Sequence, residues 1–74
     1  MEADDIVSQD PNVMNGALVF AGTRVPVDTL IQHLAAGDSL KDFLEDFPTV
    51  RREQAIAYLE MALEKTKDSD ARAA

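Results

Sequence analysis

Two adjacent arginines, Arg51 and Arg52, have the residue type and the position for contacts with nucleic acid. They lie at the predicted start of the longest helix, where the helix dipole makes an exposed cation unfavourable by about 0.3–1 kcal/mol. A residue that breaks a local rule of stability invites a functional interpretation. Because the first turns of a recognition helix face phosphates and base edges, we predict that Arg51, Arg52, Gln54 and Tyr58 contact DNA. The alternative is a solvated, charged helix start whose arginines pair with nearby acids.

Acidic side chains form the second group with a predicted role. The 74 residues include 14 acids and 7 bases, and the net charge is −7. Such a charge argues against strong nucleic-acid binding by the chain as a whole and suits a protein that covers a basic partner. The predicted partner-binding residues are Asp4 and Asp5 in the N-terminal segment and Asp42 and Asp46 in a middle helix. The alternative for the middle pair is the solvated polar face of an amphipathic helix.

Catalytic and metal-binding chemistry is not predicted. The chain has no cysteine, which excludes a thiolate zinc site and a cysteine nucleophile, and its one histidine, His33, excludes a two-histidine metal site. We interpret His33 as structural. No serine, histidine and acid follow a recognisable order, and no Gly-Lys pair marks a phosphate-binding loop. The sequence therefore predicts a protein that is not an enzyme and that needs no metal or cofactor.

The length of the chain predicts one domain at most. We divide it into a flexible acidic arm over residues 1–9, a folded domain over residues 10–67 and a disordered tail over residues 68–74. No apolar run approaches the roughly 18 residues of a membrane span, and the acidic N-terminus differs from the basic start of a secretory signal. We therefore expect a cytoplasmic protein that does not enter the membrane.

The first part of the predicted domain is a β-hairpin. Asn15-Gly16 favours a tight turn because both residues tolerate positive φ. The apolar run over residues 17–20 has the length of a strand, and residues 23–25 contain two β-branched side chains and predict a second strand. Strands this short must pack on helices or pair with another chain.

Three helices are predicted after the hairpin. Pro26 opens the first and Gly37 ends it, because proline suits a first helical turn and glycine suits a left-handed end. Ser39 caps the second helix, with Asp42 completing a capping box, and Pro48 ends it.

The third helix starts between Thr49 and Arg51. With Arg51 as the N-cap, Val50 and Ala55 form a hydrophobic staple and Gln54 reaches back to the cap. Thr49 is the better capping residue by its chemistry, so both starts remain open. The predicted core stripe of this helix consists of Ile56, Leu59 and Leu63.

The predicted fold class is mainly α, with a short N-terminal β-hairpin or β-arm followed by a three-helix bundle. The second and third helices are joined by about four residues, a spacing compatible with a helix-turn-helix. Any small three-helix bundle has such joints, so the spacing alone is weak support.

A longer sequence pattern carries a family resemblance. Its most specific block is Gly22-Thr23-Arg24-Val25-Pro26-Val27, and the later blocks are Leu34-Ala35-Ala36-Gly37, Leu44-Glu45-Asp46-Phe47-Pro48 and Glu53-Gln54-Ala55-Ile56. From about Asp10 to Leu63 the chain resembles the domain-of-unknown-function family 433 (DUF433). The residues that we assign to the family motif are Gly22, Thr23, Arg24 and Pro26. Arg51 departs from the pattern, since the family usually has serine or threonine there.

The resemblance implies a small helix-turn-helix domain of the homeodomain-like type after a short β-segment. It also implies an antitoxin of the VapBC type, whose partner is a PIN-domain-like ribonuclease toxin encoded nearby. Recognition of operator DNA would then fall on Arg51, Arg52 and Gln54. We therefore expect an antitoxin-like, non-catalytic binding protein that also contacts operator DNA.

Two other functions remain as alternatives. A stand-alone dimeric DNA-binding regulator predicts an affinity that falls steeply with salt, because phosphate contacts release counterions. A structural interaction module predicts a self-associating protein without nucleic-acid affinity. Both alternatives predict a homodimer, which adds the burial that a chain of this length lacks.

Overall fold

The computed structural model describes the backbone of residues 1–73 and the side chains of residues 1–67. The elements follow in the order α1 (Ala3–Ile6), β1 (Val7–Gln9), β2 (Leu18–Phe20), α2 (Val27–Ala35), α3 (Leu40–Asp46) and α4 (Arg52–Ala73). A 3₁₀ turn over Met14–Gly16 lies between the two strands. The fold is mainly helical with a short N-terminal two-stranded antiparallel hairpin, which confirms the predicted class at this level.

The hairpin pairs β1 with β2, whereas the sequence predicts that residues 17–20 pair with residues 23–25. The register of β1 against β2 is Val7↔Phe20, Ser8↔Val19 and Gln9↔Leu18. Residues 3–9 are therefore a helical turn and a strand, where the sequence predicts a flexible arm. The difference arises at Ile6, which is only 4% exposed and attaches the segment to the interior.

The segment predicted as the second strand forms a turn after β2. The carbonyl of Phe20 accepts hydrogen bonds from the backbone N–H of Thr23 at 3.0 Å and from its hydroxyl at 2.8 Å. The same hydroxyl oxygen accepts from the N–H of Val25 at 3.0 Å. These local bonds replace a strand ladder, and an isolated β-bridge between Val19 and Pro26 follows.

The ends of α2 follow the predicted chemistry. Pro26 stands at the N-cap, one residue before the first turn that we predict for it. At the other end Gly37 has a φ of 95°. The N–H of Asp38 donates to the carbonyl of His33 at 2.9 Å, and the N–H of Gly37 donates to that of Leu34 at 3.1 Å. This pair of bonds is a Schellman motif, which satisfies the last carbonyls of the helix.

The capping box of α3 is confirmed. The hydroxyl oxygen of Ser39 accepts from the N–H of Asp42 at 3.1 Å, and Oδ2 of Asp42 accepts from the N–H of Ser39 at 3.2 Å. The helix ends at Asp46, just before Phe47 and Pro48.

The start of α4 confirms the cap at Arg51 over the alternative at Thr49. The N–H of Arg51 donates to Oε1 of Gln54 at 3.3 Å, and its carbonyl accepts the first helical bond from Ala55 at 3.0 Å. Val50 and Ala55 are both buried, as a hydrophobic staple requires. At its other end α4 continues to Ala73. The disordered tail over residues 68–74 stays a prediction, because the side chains of these residues lie outside the described part of the structure.

The hydrophobic core lies where β2, α2, α3 and α4 meet. Its buried residues are Phe20, Val27, Leu30, Phe43, Val50 and Ala55. The predicted stripe of α4 is wrong in part, since Ile56 and Leu63 are 37% and 52% exposed. The side of α4 that faces the core carries Gln54 and Ala55. Ile56 and Leu63 therefore point away from the core.

Candidate binding surface

Gln54 lies inside the protein, and the prediction that it contacts DNA does not fit this position. Its side chain is 1% exposed. Nε2 donates to the carbonyls of Ile6 at 3.0 Å, Ala21 at 3.0 Å and Asp5 at 3.4 Å. Because Oε1 accepts from the N–H of Arg51, every polar atom of the amide has a partner. Gln54 therefore holds the N-terminal segment, the end of β2 and the start of α4 together.

Tyr58 belongs to the margin of the core. Its ring meets Phe20 edge to face, with ring centroids 5.7 Å apart and an interplanar angle of 80°. Burial raises the pKa of the Tyr58 hydroxyl above its ordinary value of 10.0, and the negative charge of Asp28 adds to the rise. Tyr58 thus packs against the hairpin, on the side of α4 that holds Gln54.

Arg51 and Arg52 are exposed at the start of α4. Nη1 of Arg51 lies 3.8 Å from Oε1 of Glu53, a loose surface pair that contributes little to stability. Of the four predicted DNA contacts, these two arginines have exposed side chains, whereas Gln54 is buried and Tyr58 is half-buried.

Residues of the family motif shape the connection between β2 and α2. Gly22 has a φ of 78°, a conformation that favours glycine. Thr23 closes the turn through its hydroxyl, and Pro26 provides the N-cap of α2. Arg24 is the exposed member of the motif. Three of the four motif residues therefore determine the backbone conformation of this connection. Arg24 has no such role, and its side chain is available for a contact at the surface.

The predicted partner-binding acids are exposed on two helices. Asp4 and Asp5 lie on α1, which packs on α4, whereas Asp42 and Asp46 lie on α3, which packs on α2. One carboxylate oxygen of Asp42 is already used in the capping box. Asp4, Asp5 and Asp46 have no such bond to another described residue and keep their carboxylates for solvent or a partner.

His33 has a structural environment. Its ring meets the rings of Phe43 and Phe47 edge to face, each with centroids 5.6 Å apart. Nδ1 lies 3.0 Å from Oδ2 of Asp38, although the two atoms do not form a hydrogen bond of acceptable geometry. The ring fills space between α2 and α3.

An apolar groove of about 320 Å³ lies between the hairpin and α4. Its lining residues are Val7, Leu18, Tyr58, Met61, Ala62 and Lys65. The four from α4 have the spacing i, i+3, i+4, i+7 and share one helix face. Grooves of this volume and composition accept apolar side chains of a ligand or partner. The sequence does not predict this site, because one wall of the groove depends on β1, a strand that the sequence pattern does not indicate.

Among residues 1–67, histidine, aspartate and glutamate side chains do not form a group of three or more that would hold a metal ion. Within the same part of the chain, the helices lack the length or apolarity needed to cross a membrane.

Comparisons with known proteins give one family and one curated relative. A family model described as a protein of unknown function (DUF433) matches residues 7–62. The uncharacterized protein y4eO of Sinorhizobium fredii is 38% identical over 52 residues, which are 70% of this chain and 24% of the relative. The chain thus spans about a quarter of the length of that relative. No solved structure matches the chain.

Proposed function

Since the chain belongs to the DUF433 family, described as proteins of unknown function, we propose a role for it from its own surface: an antitoxin-like, non-catalytic binding protein of the cytoplasm. Its partner is a PIN-domain-like ribonuclease toxin, the class that the family resemblance implies. The observation that supports this proposal is the apolar groove between the hairpin and α4 in a chain of net charge −7.

The charge favours a basic partner. Enzymes that cleave RNA carry cationic surfaces, because their substrate is a polyanion. The exposed carboxylates of Asp4, Asp5 and Asp46 complement such a surface and steer the encounter. They would also compete with RNA for the same cations, which explains neutralisation without catalysis.

The groove provides the affinity that surface charges alone do not. Binding energy concentrates in a few buried anchors, and surface ion pairs contribute little. Leu18 is 38% exposed at the mouth of the groove, with Met61 and Ala62 on its α4 wall. One or two apolar side chains of the toxin fill this volume.

The test is inhibition of RNA cleavage by a PIN-domain-like ribonuclease encoded near this chain, the partner that the family resemblance implies. The wild-type chain should form an equimolar complex and stop cleavage. The double variant Asp4→Asn, Asp5→Asn should associate several-fold more slowly and depend less on salt. Glu60→Gln is a matched control, since Glu60 is exposed on α4 and does not line the groove. Full cleavage in the presence of excess wild-type chain would refute the proposal.

A second candidate is contact with operator DNA, as a regulator or as part of the complex. The exposed pair Arg51 and Arg52 at the start of α4 favours DNA binding. α3 and α4 follow each other in the chain as the two helices of a helix-turn-helix do, so the arginines would lie at the start of the recognition helix. A homeodomain-like arrangement of the three longer helices belongs to this proposal, as does the homodimer that a regulator needs. Replacing both arginines by glutamine should abolish the salt-dependent binding to upstream DNA. Binding that is unchanged would contradict the role of the two arginines, and a wild-type chain that does not bind DNA would leave the structural interaction module as the alternative.

A further inference from the structure

The N-terminal segment, residues 1–9, is attached to the rest of the domain mainly by contacts that a second copy of the chain can supply unchanged. Ile6 is buried in the interior, and its carbonyl accepts a hydrogen bond from Gln54. β1 pairs with β2 over three residues, and the N–H of Ala21 extends the ladder by donating to Ile6 at 3.0 Å. These partners lie after residue 17, beyond the connection that joins the two strands. One further bond, from Nε2 of Gln9 to the carbonyl of Gly16 at 2.8 Å, ends on the connection itself.

That connection, residues 10–17, is a compact loop with strained backbone. Met14 and Asn15 have φ values of 49° and 57°, and Gly16 follows with 85°. Asparagine and glycine tolerate this left-handed region, but methionine does so at a cost in free energy. The hydrogen bonds of the loop are local, such as that from the N–H of Val13 to the carbonyl of Asp10 at 2.9 Å.

We infer that residues 1–9 exchange between two copies of the chain, which form a domain-swapped homodimer with the loop extended as a hinge. Eight extended residues span roughly 26 Å. That length suffices to pass from one domain to its neighbour, because the whole chain measures 38 × 30 × 23 Å. The contacts of Ile6, Gln54 and β1 are kept, now between the copies.

The balance between the two forms depends on the hinge. Because the exchanged contacts are the same in monomer and dimer, they favour neither form. Extension breaks the local hydrogen bonds of the loop, such as that from the N–H of Gly16 to the carbonyl of Val13 at 3.0 Å, and exposes their groups to water. It also releases the left-handed conformation of Met14 twice per dimer, and strained hinge loops promote such exchange. This inference does not depend on the proposed function.

The absence of cysteine from the sequence allows a decisive cross-linking test. Gln9 and Leu18 face each other across the strands, and both are exposed. The N–H of Phe20 points away from β1, to Val25, so Gln9 and Leu18 form a non-hydrogen-bonded pair, whose Cα separation suits a disulfide. In the oxidised double variant Gln9→Cys, Leu18→Cys, an exchanged segment gives a covalent dimer on a denaturing, non-reducing gel.

The masses of wild type and variant in solution complete the test. We expect light scattering to give twice the chain mass of 8.1 kDa for the wild type and for the control Gln9→Cys in reductant. A monomer mass for the wild type overturns the inference. A dimer mass combined with a disulfide inside each chain overturns it as well, because the copies would then associate without exchange.

A hinge variant tests the cause. Met14→Gly removes the strain from the closed loop and should weaken dimerisation about tenfold or more. Asn12→Gly is the matched control, because Asn12 lies in the same loop without a positive φ and should change dimerisation much less. Equal effects of the two variants would show that general loop flexibility, and not Met14, sets the equilibrium, and would overturn the assigned cause.

Discussion

Nε2 of Gln54 donates a hydrogen bond to the carbonyl of Ile6 at 3.0 Å, across 48 positions of the sequence. Through this bond a polar side chain at the start of α4 fixes the end of α1 and the beginning of the hairpin. Gln54 is the third residue of α4, the position whose side chain bonds back to the N-cap in a capping box. Its amide therefore provides hydrogen-bond partners for the start of α4 and for the N-terminal segment at the same time.

Replacement of Gln54 by alanine should lower the free energy of unfolding by about 2–3 kcal/mol, since several buried backbone groups lose their partner. Chemical denaturation measures the change. Gln32→Ala, at an exposed glutamine of α2, is the control and should stay within about 0.5 kcal/mol of the wild type. Equal stabilities of the two variants would contradict the role of Gln54.

Ser39→Ala removes the hydroxyl that caps α3 and should lower the free energy of unfolding by about 1 kcal/mol, because the capping box loses one of its two hydrogen bonds. Thr49→Ala should have an effect below about 0.5 kcal/mol, since α4 is capped at Arg51. A thermal unfolding series compares the two variants. A larger loss for Thr49→Ala would place the cap of α4 at Thr49.

Alkaline pH should destabilise the fold through Tyr58. Burial and Asp28 raise the pKa of Tyr58 in the folded chain, so the folded state holds the proton more tightly than the unfolded state. The resulting stability is fully present below the unfolded pKa of about 10 and is lost as pH rises through the higher folded pKa. Chemical denaturation between pH 9 and 11, a window set by the usual tyrosine pKa of about 10, measures the free energy of unfolding. In Tyr58→Phe this free energy should fall less with rising pH than in the wild type. An identical pH dependence in the variant would contradict the assignment.

Local chemistry made several element ends predictable. Gly37 and Ser39 act within a few residues, so their motifs predict the end of α2 and the start of α3. The local pattern of Arg51 and Gln54 limits the start of α4 to two alternatives, Thr49 and Arg51. Asn15 and Gly16 were predicted to tolerate positive φ and do adopt it, although they lie in the loop before β2 and not in a two-residue hairpin turn.

The long-range parts of the structure were not predictable in the same way. β1 pairs with a strand that lies nine or more residues away, and its own residues are mostly polar. Gln54 carries a local signal as a capping residue, but its burial depends on carbonyls up to 49 positions away. The apolar groove follows from both features, which is why the sequence predicted acidic partner contacts and missed the apolar ones.

The apolar groove makes the central claim testable by a single titration. Leu18→Lys places a cation at the mouth of the groove, and Ile31→Lys is the matched control, because Ile31 has a similar exposure of 42% and lies on α2 outside the groove. Both variants must first show cooperative unfolding. Calorimetric titration into the proposed partner, a PIN-domain-like ribonuclease, then compares them with the wild type.

We predict equimolar binding for the wild type and for Ile31→Lys, and an affinity lower by about tenfold or more for Leu18→Lys. Equal affinities of all three chains would contradict a role for the groove. No binding of the wild-type chain would contradict the proposed function itself.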